Sequence, residues 1–183
     1  MLWKITQNVL TTIVVLYTGI HWGLASVPGL YFVLSVFELT NGDLLYYRAL
    51  YIGISLGIAY VMWMLSTILI TSILGFIFKP SIGSVRVPFL SFTSIRWGFL
   101  NVLDRLAKPS VHHMVPSWIT DFYYRAMGCK IGKNSFVSSD RINDPYMVSI
   151  GDNSIIGRRD CKCTFLSPTH FAAQHKTVEL SIN

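Results

Sequence analysis

The side chains with the widest chemical reach are histidines and cysteines near the C-terminal end. Cys161 and Cys163 alternate, so on a strand both thiols face one side, and His170 and His175 follow them. Two thiols and two imidazoles form a zinc ligand set, although structural zinc usually prefers two residues between its cysteines. The competing reading makes the small cysteines apolar fillers and the histidines exposed loop residues. His112-His113 is a second metal-type pair, placed by the sequence in a loop before Pro116. No acidic or cysteine ligand lies near it in sequence, so a polar interfacial loop is the stronger reading. With Cys129 the thiols number three, which gives no disulfide framework.

The elements that must position these groups begin with a repeat. Residues 131–135 and 150–154 both read Ile-Gly-x-Asn-Ser and start 19 residues apart. A left-handed β-helix of hexapeptides needs about 18 residues per three-sided coil, so one inserted residue reconciles the two. The aliphatic residue of each hexapeptide points into the coil and stacks on its neighbours. A small residue sits at the corner, and Gly and Asn accept the turn conformations found there. Residues 156–161 match at the first two positions only, and residues 137–142 keep only the aliphatic one. Asn143-Asp144-Pro145 is the expected bulging corner that absorbs the extra residue.

Ahead of this repeat the chain is strongly apolar. Hydrophobic residues make up 52% and charged residues 13% of the sequence, with a mean hydropathy of +0.49. Residues 5–37 and 49–78 contain no Asp, Glu, Lys or Arg. Each run exceeds the roughly 20 residues that span a bilayer as a helix. The first continues past Gly23-Leu24-Ala25-Ser26, which favours an uncleaved anchor over a signal peptide. Residues 8–38 and 51–78 therefore read as membrane helices, with Pro28-Gly29 either kinking the first or dividing it. Trp3, Trp22, Tyr46, Tyr47 and Tyr51 are candidate interface or core aromatics. Thr40-Asn41-Gly42-Asp43 marks the turn between the helices.

Only Lys4 and Arg48 among the basic residues, and Glu38 and Asp43 among the acidic ones, precede residue 79. The whole net charge of +6 therefore lies beyond the hairpin. Positive charge gathers on the cytoplasmic side of membrane helices. The expected location is the cell inner membrane, multi-pass, with both termini and the repeat in the cytoplasm, where reduced thiols are expected. No basic run or nucleic-acid motif is present, so lipid headgroups are the better partner and no nucleic acid is expected.

Lys79-Pro80 ends the second span, and Pro80, Gly83 and Pro88 mark an irregular linker. Over residues 94–108, Ile95, Phe99, Val102, Leu103 and Leu106 follow helical spacing, with Arg96, Asn101, Asp104, Arg105 and Lys108 mainly off that stripe. Such a helix either lies in the membrane interface or packs on its neighbours. Ser117 is placed to cap a further helix running to about Met127, with Gly128 at its end. The expected organisation is a transmembrane helical hairpin (1–79), a linker with amphipathic interfacial helices (80–128), and the start of a left-handed parallel β-helix (129–183).

Residues 123–157 resemble the hexapeptide-repeat acyltransferases. The resemblance rests on Tyr-Tyr-Arg-Ala-Met-Gly-Cys-Lys-Ile-Gly, then Asn-Asp-Pro-Tyr-Met-Val-Ser-Ile-Gly-Asp-Asn, then Ile-Ile-Gly. The order of two spans, linker helix and β-helix is similar to the C-terminal membrane units of nonribosomal-peptide-synthetase-like proteins that include ε-poly-lysine synthetase. The resemblance implies transfer of an acyl group from a thioester to a hydroxyl or amine on a small-molecule, sugar or amino-acid acceptor. The co-substrate it implies is acyl-CoA or a carrier-protein thioester, with no permanently bound cofactor; from the cysteine and histidine spacing no metal is expected. It implies a loop histidine as general base, a place taken here by His170 with His175 second. The Gly-His pair of many members is absent. The resemblance also implies a homotrimer through the β-helix. About two coils are expected within this length, so the chain reads as a fragment of a longer unit. An amide-forming unit that couples carrier-bound amino acids and a non-catalytic membrane scaffold are the alternatives.

Overall fold

A run without charged residues has to satisfy its backbone internally, and both apolar runs do so as helices: α1 (Leu2–Leu39) and α2 (Leu45–Phe78). The structure is a computed structural model. It describes the backbone of residues 2–78, 85–88, 91–157, 164–166, 170–173 and 176–178, and the side chains of residues 8–78 and 91–157. The chain divides into two units, Met1–Ile70 and Thr71–Asn183.

In the first unit, α1 runs unbroken through Pro28, so the expected division into two shorter helices does not occur. Its contact with α2 uses small residues, Gly29 meeting Ala59. Ala25 and Ser55 are buried, and a Cβ on Gly29 would stand 2.8 Å from the Ala59 carbonyl oxygen. Close approach through small residues is how helices associate where apolar burial gives no advantage over lipid. Trp22 packs edge-on against Trp63 at 6.1 Å. The turn forms at the expected residues, with the Asp43 amide donating to the Thr40 carbonyl at 3.2 Å. Val15, Leu16, Ile20, Leu34, Leu56 and Leu69 are all more than half exposed. Soluble proteins rarely carry so much contiguous apolar surface. Both helices are long and apolar enough to cross a membrane.

The second unit follows the last residues of α2 with β1 (Val85–Pro88), α3 (Phe92–Met114), α4 (Trp118–Ala126), β2 (Lys130–Ile131), β3 (Phe136–Val137), β4 (Val148–Ile150), β5 (Ile155–Ile156), β6 (Thr164–Leu166), β7 (His170–Ala173) and β8 (Lys176–Val178). Arg96 Nε donates to the carbonyl of Phe78, the last residue of α2, at 2.6 Å, satisfying an oxygen the helix leaves unpaired. Ser91 caps α3 by accepting from the Ser94 amide at 3.2 Å. The helix continues past Pro109 and takes in residues 111–114, which the sequence placed in a loop. Val111 is buried and its carbonyl accepts from the Val115 amide at 3.0 Å, so packing and backbone bonding carry the last turn.

The buried face of α3 is Leu100, Leu103, Leu106, Ala107 and Val111. Of the expected stripe, only Leu103 and Leu106 are buried, while Ile95 is 57% exposed. The helix therefore packs over residues 100–111 and leaves Phe92 and Ile95 uncovered. In α4, Ser117 accepts from the Thr120 amide at 3.4 Å. At its end the Cys129 amide reaches the Tyr124 carbonyl and Gly128, at φ +101°, donates to Arg125. This helix keeps the ends read from the sequence.

β2, β4 and β8 form one parallel ladder, and β3 and β5 another. Ile131, Ile150, Val137 and Ile156 point inward and are buried, as the hexapeptide pattern requires. Asn134 and Asn153 occupy the left-handed region at φ 53° and 52° and stack, Asn134 Nδ2 donating to Asn153 Oδ1 at 3.4 Å. Gly132 has no room for a side chain: a Cβ would stand 2.6 Å from the Asp152 nitrogen. The corner at 143–145 bulges as expected, with Asp144 left-handed and a 3-10 turn over Pro145–Met147. β8 adds a third rung that the repeat did not announce. β1, read as irregular linker, is a strand: it pairs antiparallel with β7, which also pairs with β6. Val85 and Val87 are good strand formers and Pro88 sits at the strand end. Among the described residues no sheet closes on itself; the β structure is short ladders beside helices.

Candidate functional site

One face of α3 carries Asn101, Asp104, Lys108 and His112 at helical spacing, and each meets a polar partner. Asp144 Oδ1 accepts from Trp97 Nε1 at 2.9 Å, Asn101 Nδ2 at 3.3 Å and the Tyr146 hydroxyl at 3.1 Å. A carboxylate this buried needs such donors. Lys108 contacts Asp104 Oδ2 at 3.4 Å and donates to Asn143 Oδ1. Tyr123 donates its hydroxyl to Asp104 Oδ1 at 2.9 Å. Burial pushes the Asp104 carboxyl above the usual carboxylate range, opposed by Lys108 and Tyr123. Burial likewise raises the Tyr123 and Tyr124 hydroxyls. A groove of about 440 Å³ opens between α3 and the corner, lined by Trp97, Asn101, Arg105, Lys108 and Asp144 among others.

One turn beyond Lys108, His112 Nδ1 lies 2.6 Å from Asp140 Oδ2. The His112 side chain is 56% exposed and that of Asp140 only 19%. The hydrogen bond from His112 holds the Asp140 carboxyl below its ordinary range, so it is ionised near neutrality and can only accept. Neutral His112 therefore carries its proton on Nδ1 and presents a bare Nε2. Asp140 follows Ser139, which is buried. The Ser139 carbonyl accepts from Tyr124 at 2.8 Å and its Oγ from the Arg141 amide at 3.1 Å. The His113 ring stands 5.6 Å from that of His112.

The sequence-predicted base, His170, has its backbone in β7 opposite Pro88 of β1; its side chain lies outside the described residues, as do His175, Cys161 and Cys163. Among the described residues no cluster of His, Cys, Asp and Glu could hold a metal. Cys129 is buried. Sequence reasoning missed Trp97, Asp104, Asp140 and Asp144. The signal was present in the 3- and 4-residue spacing of Asn101, Asp104, Lys108 and His112, but the sequence reading ended the helix at Lys108 and put His112 in a loop. No protein-family model, curated protein or solved structure matches this chain.

Proposed function

We propose that this chain is a membrane-anchored acyl-transfer unit, moving an acyl group from acyl-CoA or a carrier-protein thioester to a hydroxyl or amine. The observation that carries the reading is the pair of parallel ladders. Lys130↔Ser149 and Phe136↔Ile155 are both parallel pairs 19 residues apart, with the aliphatic residues of each rung buried and left-handed Asn at matching corners. This supports a left-handed β-helix, the scaffold of the transferases that residues 123–157 resemble. Exposed Phe136 and Ile155, partners in the ladder, offer an outward apolar pair suited to a trimer. Exposed Phe92 and Ile95 suit a lipid interface at the start of α3. The basic excess beyond residue 79 supports a cytoplasmic coil in the inner membrane.

Thiol release is the test. Inverted inner-membrane vesicles carrying the chain should release free thiol from added acyl-CoA when a small hydroxyl or amine acceptor is present. Sealed right-side-out vesicles should not, because the thioester is charged and stays outside. Release equal to empty vesicles across alcohol, sugar and amine acceptors would retire the reading in favour of a non-catalytic scaffold. Release only from carrier-bound aminoacyl thioesters would select the amide-forming alternative.

A further inference from the structure

General bases of acyl transfer need three things: a ring nitrogen that is free of a proton, a partner that fixes the ring, and a concave place beside it for the acceptor. The α3 face supplies the first two at His112 and a groove one helical turn away. Asp140 Oδ2 accepts the hydrogen bond of Nδ1–H at 2.6 Å, so the neutral ring, which is exposed, presents a bare Nε2. Among the described residues Nε2 has no hydrogen-bond partner. The carboxylate is itself held from both sides, through Tyr124 on the Ser139 carbonyl and Ser139 Oγ on the Arg141 amide. The groove of about 440 Å³ ends at Lys108, one helical turn before His112 on the same face.

We propose that His112 is the general base of this unit, with Asp140 as its positioning residue and the groove along α3 as the acceptor site. The inference rests on the acyl-transfer reading above. As the acceptor oxygen or nitrogen attacks the thioester carbonyl carbon, its proton passes to His112 Nε2. The tetrahedral intermediate then collapses, the carbon–sulfur bond breaks, and the imidazolium returns the proton to the departing thiolate. The products are the acylated acceptor and a free thiol, with no oxidant or metal required. Asp140 faces the imidazolium while it exists and stabilises it. His170, assigned the same role by resemblance, becomes the competing candidate.

The experiment uses the full chain in lipid nanodiscs, with thiol release followed across acceptor concentration. His112→Ala should lower kcat by about 10²–10⁴-fold, and added imidazole should restore part of the loss because the ring site is open to solvent. Asp140→Asn should lower kcat with little change in KM, since the amide no longer holds the ring in the tautomer that bares Nε2. A merely structural ion pair would give neither the rescue nor the kcat-specific loss. A His112→Ala kcat within about threefold of wild type overturns the assignment. So does a loss that imidazole fails to restore. If wild type itself releases no thiol, the acyl-transfer reading has failed and the base falls with it; the wild-type rate tells the two failures apart.

Discussion

The hairpin of the first unit and the ladders of the second both bring backbones very close, by opposite chemistry. In the hairpin, Gly29 lies against the Ala59 carbonyl, and the contact is made of small residues with apolar side chains turned outward. In the ladders, Gly132 lies against the Asp152 backbone, and the contact is fixed by polar atoms. The Lys133 amide donates to Asp152 Oδ1 at 2.5 Å, and Ser135 Oγ donates to the Gly151 carbonyl at 2.6 Å. The hairpin can slide or tilt a little at modest cost, because dispersion contacts lack direction. The ladders cannot, because each rung is pinned by directional bonds to the next. The ladders are therefore the more rigid of the two contacts.

The comparison can be broken at its two glycines. Gly132→Val should be the larger effect. Its Cβ would meet backbone, at 2.6 Å from both the Asp152 nitrogen and the Gly151 carbonyl carbon, and neither can move without undoing the rung. Overpacking against backbone costs about 3 kcal/mol or more. Chemical denaturation in mixed micelles should show the coil unit unfolded or strongly destabilised; a wild-type midpoint would show that the rung gives way easily. Gly29→Leu meets a carbonyl oxygen at 2.8 Å, but α1 and α2 can separate by a small tilt. A loss of about 1–3 kcal/mol is expected, together with a changed Trp fluorescence as Trp22 leaves Trp63. An equal cost at both glycines would erase the distinction between a sliding contact and a pinned one.

What the sequence made legible follows the same division. Length and lack of charge located both hairpin helices, since a bilayer-length apolar run leaves the backbone few alternatives. The small-residue contact was not legible, because Gly and Ala occur throughout α1 and α2 and nothing local says which pair meets. In the ladders, position-specific residues were legible: Ile131 and Ile150 are buried, and Asn134 and Asn153 take the left-handed turn conformation, as the hexapeptide pattern requires. The pairing of β1 with β7 joins residues more than eighty apart, and no local signal encodes it. The candidate site was half legible. His112 stood out, but Asp140 is 28 residues away and only the fold unites them. Asp104 was misread because a charged residue off an apolar stripe is normally solvated; here Tyr123 and Lys108 satisfy it inside the packed face.

The smallest expected effect separates two carboxyls of the coil unit by the sign of their pH dependence. Asp140 has its carboxyl held low by His112, so its contribution to stability is present above the unfolded value of about 3.9 and is lost as pH falls. Asp104 has its carboxyl raised by burial, so the native state holds that proton more tightly than the unfolded chain. Its contribution is full below about 3.9 and is lost as pH rises through the raised value. Asp104→Asn keeps an oxygen for the Tyr123 hydroxyl and removes the charge that faces Lys108 and Asp144. Stability of the variant, measured by denaturation from pH 4 upward, should therefore fall less with rising pH than wild type. A steeper fall in the variant would mean that Lys108 outweighs burial at Asp104, making this carboxylate an ion-pair partner of the same sign as Asp140.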